Sequence, residues 1–256
     1  MKNIKEISVK LSLLLLLIAC FATPALAAEI KTTNELISAM RDRYANKWYK
    51  TLVFAQKTTD YKPDGKIETG VWYEAMRLPG KLRIDFGSIG SGNGVIFDDG
   101  MQHDFKEGKA AGSRRTGHPL LTLGFAVYGQ PAETTIRQLA GMKFDLSKFR
   151  EDVYGGRAVY VVGADKGDLR SRQFWIDKKR LYFLRSIQPA GGTRVQEFRF
   201  GDYRKVKGGG WVAARVEFLI DGKLFFLEEY FDIKPNAKLP DGIFDLQNLN
   251  IKAYER

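Results

Sequence analysis

Any chemistry in this chain must come from a short inventory. One cysteine and two histidines cannot build an intrachain disulfide framework or a histidine-rich metal centre. Gly87, Gly90, Gly92 and Gly94 are spaced closely enough to suggest a phosphate cradle, but the run leads into Val95-Ile96-Phe97, which reads as a strand. A cradle needs the loop to open a helix whose first amides face the anion, so a hairpin loop is expected instead. Asp98, Asp99, His103 and Asp104 include ligands for a hard cation, yet Asp98-Asp99-Gly100 is first of all a turn. His103 shares a strand face with Met101 and Phe105 and is expected to be buried and partnered. His118, just before Pro119, reads as the entry to a helix. Glu228 and Glu229 are adjacent in a strand and point to opposite faces, so they cannot share a substrate there. Serines are sparse, and none sits in a nucleophile-elbow setting. No catalytic residue, no metal site and no cofactor is expected, which makes an enzyme the least supported class.

The elements that would position these side chains begin after an export signal. Lys2, Lys5 and Lys10 precede an apolar run over 11–22, followed by Pro24 and the small residues Ala25 and Ala27. This is the order of a cleavable signal peptide, and the run is too short to span a bilayer comfortably. Residues 1–27 are assigned to the signal and 28–256 to a single domain in the periplasm. The competing reading takes Leu17-Ile18-Ala19-Cys20 as a lipobox and anchors the protein through an acylated Cys20. Removal of 1–27 leaves 38 basic against 29 acidic side chains, a net charge of +9. Outside the cytoplasm such a balance points to an anionic membrane surface and not to nucleic acid. A simply solvated basic surface fits equally well, because the charges are dispersed.

Thr32-Thr33-Asn34-Glu35 is a capping box. Leu36, Ile37, Met40, Tyr44 and Trp48 then recur at helical spacing. From there the period falls to two, and eleven strands are expected: 48–59, 66–77, 81–86, 93–98, 101–106, 157–163, 171–177, 181–188, 193–203, 211–220 and 223–233. Short turns between them make the neighbours antiparallel. In 81–86, Leu82, Ile84 and Phe86 lie on one face and Lys81, Arg83 and Asp85 on the other. In 158–162 and 224–227 both faces are apolar, so these strands need cover on both sides or line an apolar cavity. Residues 106–117 read as a small basic loop. Behind it, Leu120, Leu121, Leu123, Phe125, Val127 and Tyr128 make a segment apolar nearly all round, entered at Pro119. Pro131 opens a second helical piece that stops at Gly141. A segment apolar on every side should be covered on every side, here against the concave side of the sheet.

Several of these pieces carry a resemblance. They are the amphipathic first helix, Trp72-Tyr73, Leu78-Pro79-Gly80-Lys81-Leu82-Arg83-Ile84-Asp85-Phe86, Val95-Ile96-Phe97-Asp98-Asp99-Gly100, the apolar insert, and Phe174-Trp175-Ile176-Asp177. In that order, over most of 34–245, the chain resembles the LolA-like group of outer-membrane lipoprotein-sorting proteins. The resemblance implies a mainly β fold with lid helices: an unclosed antiparallel barrel of about eleven strands around an apolar cavity that takes acyl chains. It implies a lid of Leu120, Leu121, Leu123, Phe125, Val127 and Tyr128, with Trp72 and Phe174 on the cavity wall. In the periplasmic carriers an arginine just before the strand-turn proline latches the lid. Arg77 is the nearest match here, with Leu78 between it and Pro79. One residue of slip exchanges the faces of a strand, so the latch and a solvated strand-end arginine both stay open for Arg77.

A carrier that shields the acyl chains of a lipoprotein or lipid on the way to the outer membrane is the favoured function. Its partners would be the acylated cargo, an anionic membrane surface and membrane donor and acceptor proteins, with no nucleic acid, and a monomer is expected. The alternatives are an envelope lipid-sensing module or a tethered outer-membrane receptor of the same fold. The sensing regulators of this fold carry a further C-terminal domain, whereas this sequence ends soon after its last strand.

Overall fold

The computed structural model of the protein describes residues 29–249. The signal read at 1–27, with Cys20 and the Ala25-x-Ala27 site, lies outside the described residues. The first helix, α1 (Thr33–Tyr44), starts where the capping box places it. The Thr32 hydroxyl accepts from the Glu35 amide at 3.2 Å, and the Glu35 carboxylate accepts from the Thr32 amide at 3.1 Å. Two otherwise orphaned donors are thus satisfied. Leu36, Ile37 and Met40, on one stripe, are completely buried.

Six strands follow: β1 (Thr51–Tyr61), β2 (Ile67–Arg77), β3 (Lys81–Phe86), β4 (Gly94–Asp98), β5 (Met101–Lys106) and β6 (Lys109–Arg115). A π-helical turn at Leu120–Phe125, a 3-10 turn at Ala126–Tyr128 and α2 (Ala132–Gly141) form the insert. Seven strands follow the insert: β7 (Phe149–Tyr154), β8 (Arg157–Val162), β9 (Gln173–Asp177), β10 (Phe183–Pro189), β11 (Val195–Lys205), β12 (Trp211–Ile220) and β13 (Lys223–Pro235). All thirteen belong to one sheet, in the order β6-β5-β4-β3-β2-β1-β13-β12-β11-β10-β9-β8-β7. The first half meanders outward to one edge. The insert carries the chain to the opposite edge, and the second half meanders back until β13 pairs antiparallel with β1. Because β6 and β7 are both edges, the barrel is unclosed.

The sheet has thirteen strands where eleven were expected. Residues 109–115, read as a basic loop, form β6, whose side chains are all exposed. With no buried face the strand shows no alternation. It exists because β5 offers its backbone as a template, with Met101 opposite Arg115 and Lys106 opposite Lys109. β7 is the other unforeseen strand, and it too is an edge, paired along its length with β8.

One sheet with two apolar faces needs two covers. The inner face carries the main core, in which α1, both helical turns and α2 pack against Leu52, Phe54, Met76, Leu82, Phe97, Phe174, Ile176, Phe200 and Val216. The outer face is covered in two places. Across β2 to β5, residues 239–249 lie over Ala75, Ile96 and Phe105. Across β8 to β10, Val159, Val161, Trp175, Tyr182 and Leu184 pack among themselves. Arg83 and Asp85, expected on a polar face of β3, are completely buried under the 239–249 segment. They tolerate burial because each neutralises the other.

Candidate functional site

The apolar insert sits where its composition requires. Leu121, Leu123, Phe125, Val127 and Tyr128 are buried on the inner face, and Leu120 packs against the same core. Tyr128 stacks on Trp48 with ring centroids 3.8 Å apart and donates to the Leu181 carbonyl at 3.0 Å. His118 opens the insert. Its carbonyl accepts from the Thr122 amide at 3.0 Å, and its Nδ1 accepts from the Leu121 amide at 3.3 Å. Only an unprotonated Nδ1 can accept, and burial pushes this imidazole down to about 4, which keeps it neutral. Its ring meets Phe97 edge-on at 5.0 Å.

Two cavities flank this entry, and Gly117 and His118 line both. The first, of about 350 Å³, lies between Phe97 and the Asp99-Gly100 turn on the sheet side and Leu121, Thr122, Gln138 and Met142 on the insert. The second, of about 180 Å³, lies under Pro119 and Leu120, against Ser186, Gln188, Phe198, Phe200, Val216 and Phe218 of the inner wall. A side chain at Gly117 would place a Cβ only 2.1 Å from Cγ of Met142, so the bare glycine lets the two ends of the insert meet.

Away from the helices, towards the β1–β2 and β12–β13 turns, the inner wall loses its cover. Phe198, Phe218, Phe226, Trp72 and Phe86 there form an unbroken row, with successive centroids 5.2, 5.4, 5.6 and 4.5 Å apart. None of the five is buried, and Phe86 is 37% exposed. The row crosses β11, β12, β13, β2 and β3. A contiguous apolar patch of this kind is unusual on a surface that meets only water.

Between the row and the core lies a polar group. On β2 the inward series is Trp72, Glu74, Met76; on β13 it is Phe226, Glu228, Tyr230; Gln56 of β1 pairs with both Trp72 and Tyr230. Gln56, Glu74, Glu228 and Tyr230 are all buried. Burial raises the Glu74 carboxyl well above the ordinary carboxylate value, and the neighbouring Glu228 raises it further. Burial raises Glu228 to about 7, against a 2.7 Å hydrogen bond from the Tyr230 hydroxyl that favours its charge. The Gln56 amide is completely buried; it lies beside Glu228 and favours its charge, yet neither its oxygen nor its nitrogen makes a hydrogen bond of good geometry.

The remaining expected site residues fall as follows. Trp72 is on the inner wall, in the aromatic row. Phe174 is also on the inner wall but completely buried, with the Phe144 ring edge-on at 5.2 Å. Arg77 does not join them. It lies out of phase with Trp72, Glu74 and Met76, on the outer face, with its guanidinium 5.5 Å over the Phe244 ring, so it cannot latch the insert. His103 is only half-buried and shares a 2.7 Å hydrogen bond with Ser113 Oγ. Asp98 and Asp104 pair with Lys81 and Arg114, at 2.7 and 2.6 Å.

Glu74, Gln56 and the Glu228–Tyr230 pair were missed at the sequence level. Glu229, next to Glu228 on β13, does face the other way. The available signal was phase: each polar residue falls in step with apolar residues of a buried face.

No family model matches the sequence, and no curated protein matches it either. Solved structures do. A domain described as an outer-membrane lipoprotein-sorting protein, from Vibrio parahaemolyticus, superposes with a TM-score of 0.59 at 14% identity, over 85% of this chain and 97% of its own. A DUF1329 family protein from Desulfovibrio piger gives 0.55 at 14% identity, over 83% and 95%. A LolA superfamily protein from Nitrosomonas europaea gives 0.50 at 14% identity, over 84% and 98%. The chain therefore has the LolA-like open-barrel fold.

Proposed function

We propose that the protein is a carrier of one hydrophobic ligand, the acyl chains of a lipoprotein or lipid, in the periplasm on the way to the outer membrane. The observation that carries this reading is the half-exposed aromatic row running into the cavity beneath Pro119 and Leu120. An acyl chain moving through water exposes about 0.8 kcal/mol per methylene, which makes unassisted transfer slow. A wall of Phe198, Phe218, Phe226 and Trp72 removes much of that cost without any bond being made or broken. The insert fills the other half of the concavity, and displacing it would offset part of the binding energy, so cargo is released again. The net charge of +9 after signal removal favours docking on anionic head groups and weakens with salt. The neighbour from Vibrio parahaemolyticus, described as a lipoprotein-sorting domain, agrees with this reading.

The test is a titration of delipidated protein with the neutral fluorophore N-phenylnaphthylamine. Saturable binding is expected in the wild type, and Phe218→Asp should abolish it while leaving the far-ultraviolet circular dichroism unchanged. Absence of saturable binding to the wild type at low salt overturns the carrier reading.

A further inference from the structure

Every other carboxylate near this wall has a cation. Nearer the β1–β2 turn, Lys62 holds Asp60 and Glu68, and Lys66 adds a second contact to Glu68 at 2.6 Å. Asp104, facing inward on β5, has Arg114. Among the described residues, Glu74 and Glu228 have no basic partner, although they are the most buried carboxyls of the inner wall. The chain as a whole carries a formal charge of +11, so cations are plentiful elsewhere. Buried carboxyls are normally paired, and buried amides normally bonded. Here two carboxyls and a Gln56 amide without a hydrogen bond of good geometry converge on one spot, and the Tyr230 hydroxyl already serves Glu228. What the spot lacks is a compact group with several N–H donors and a positive charge. Trp72 and Phe226 flank it with ring faces that attract cations. Val216, directly opposite Glu228 on β12, also lines the cavity under Leu120, so a chain attached to that group has an apolar path.

We propose that Gln56, Glu74, Glu228 and Tyr230 seat the primary ammonium head of a single-chain amphiphile whose tail lies along Val216, Phe218 and Phe198. This rests on the carrier reading and sharpens it by naming the head group. An ammonium can donate to both carboxyls and to the Gln56 oxygen, satisfying each with one ligand. The carboxyls hold protons when the site is empty, because desolvation opposes their charge. The incoming cation replaces a proton, so no unpaired charge is left buried in either state. A fatty-acid anion would meet the same carboxyls with repulsion. The cation at the far side of this wall is Arg172, which donates to Gln188 at 2.6 Å and lies over Phe144 at 5.9 Å; an anionic head would be drawn there.

The experiment is displacement of N-phenylnaphthylamine by dodecylamine, dodecanol, dodecanoate and butylamine, each below its micelle concentration at neutral pH. Dodecylamine should displace the probe at about a tenfold lower concentration than dodecanol, with dodecanoate weakest. In Glu74→Gln/Glu228→Gln the three long-chain compounds should converge to within about twofold. Butylamine, which has the head without the tail, should displace nothing. The ranking in wild-type protein stands whether or not the variant folds. Dodecanoate ahead of dodecylamine overturns the proposal and moves the head group to Arg172. An amine preference that survives the double substitution also overturns it, as does displacement by butylamine. Failure of the probe itself to bind wild-type protein breaks the carrier reading, whereas retained probe binding without amine preference breaks only the head-group assignment.

Discussion

Two sets of buried ionisable groups lie on opposite faces of the same sheet, and they are built differently. On the outer face, Arg83 and Asp85 are both completely buried. Arg83 Nε and Nη2 donate to the two Asp85 oxygens at 3.0 and 2.9 Å. The remaining capacity goes to the carbonyls of Ile243, Asn248 and Leu249. Charge, hydrogen bonds and shape are complete, and the arrangement fastens the 239–249 segment across β3. On the inner face, Glu74 and Glu228 have each other but no cation among the described residues, and the Gln56 amide beside Glu228 makes no hydrogen bond of good geometry. A closed polar group of the first kind holds a fold together. The open kind costs stability and persists where something outside the chain completes it.

The outer pair should show the largest effect when broken. Arg83→Met takes the guanidinium away from the buried Asp85 carboxylate, and breaking a buried ion pair costs about 3–5 kcal/mol. Chemical denaturation should report that drop, and limited proteolysis should find the 239–249 segment newly cleavable. If Arg83→Met is neutral, the two faces do not differ in the way described.

The inner pair should respond in the opposite sense and only above pH 4.5. Because the folded carboxyl is raised from 4.5 to about 7, the folded state holds its proton more tightly than the unfolded chain. Its contribution is fully present below pH 4.5 and is lost as pH rises through about 7. Glu228→Gln should therefore match the wild type at pH 4.5 and exceed it at pH 8 by about 3 kcal/mol. Thermal unfolding of both proteins across this range measures the difference. His118 contributes with the other sign: its folded value lies below 6.5, so stability is lost as pH falls from 6.5 through about 4. Its replacement by Asn should flatten the acid limb and leave the alkaline limb unchanged.

A smaller effect belongs to the mouth of the inner wall. Phe226 is half-exposed and its neighbours are other half-exposed rings. Phe226→Ser should cost about 1 kcal/mol or less yet weaken probe binding clearly. A large stability loss there would mean that the row is ordinary core.

The parts of this arrangement that could be read from the sequence share one property: they are local. The Thr32–Glu35 capping box, the Leu120–Tyr128 segment and nine of the strand-to-strand turns depend on residues close together in the chain. The barrel reading also drew on the order of motifs such as Pro79-Gly80-Lys81 and Asp98-Asp99-Gly100, each weak alone. What escaped depends on pairing. β6 has no buried face, so 109–115 carries no alternation, and only its register with β5 makes it a strand. Arg77 was one residue out of phase with the inner wall. Arg83 and Asp85 looked solvated because the 239–249 segment that covers them lies far along the chain. Glu74 and Glu228 come together only because β13 returns to pair with β1, joining the two halves of the sheet at its middle.

The proposed carrier holds one amphiphile on the uncovered half of its inner wall. Native mass spectrometry of protein released gently from its own envelope tests it most directly. The expected spectrum shows a fraction of chains carrying a single added mass in the range of one lipid or acylated molecule, absent from Phe218→Asp prepared in the same way. Bare chains throughout, or an adduct that persists unchanged in Phe218→Asp, would contradict it.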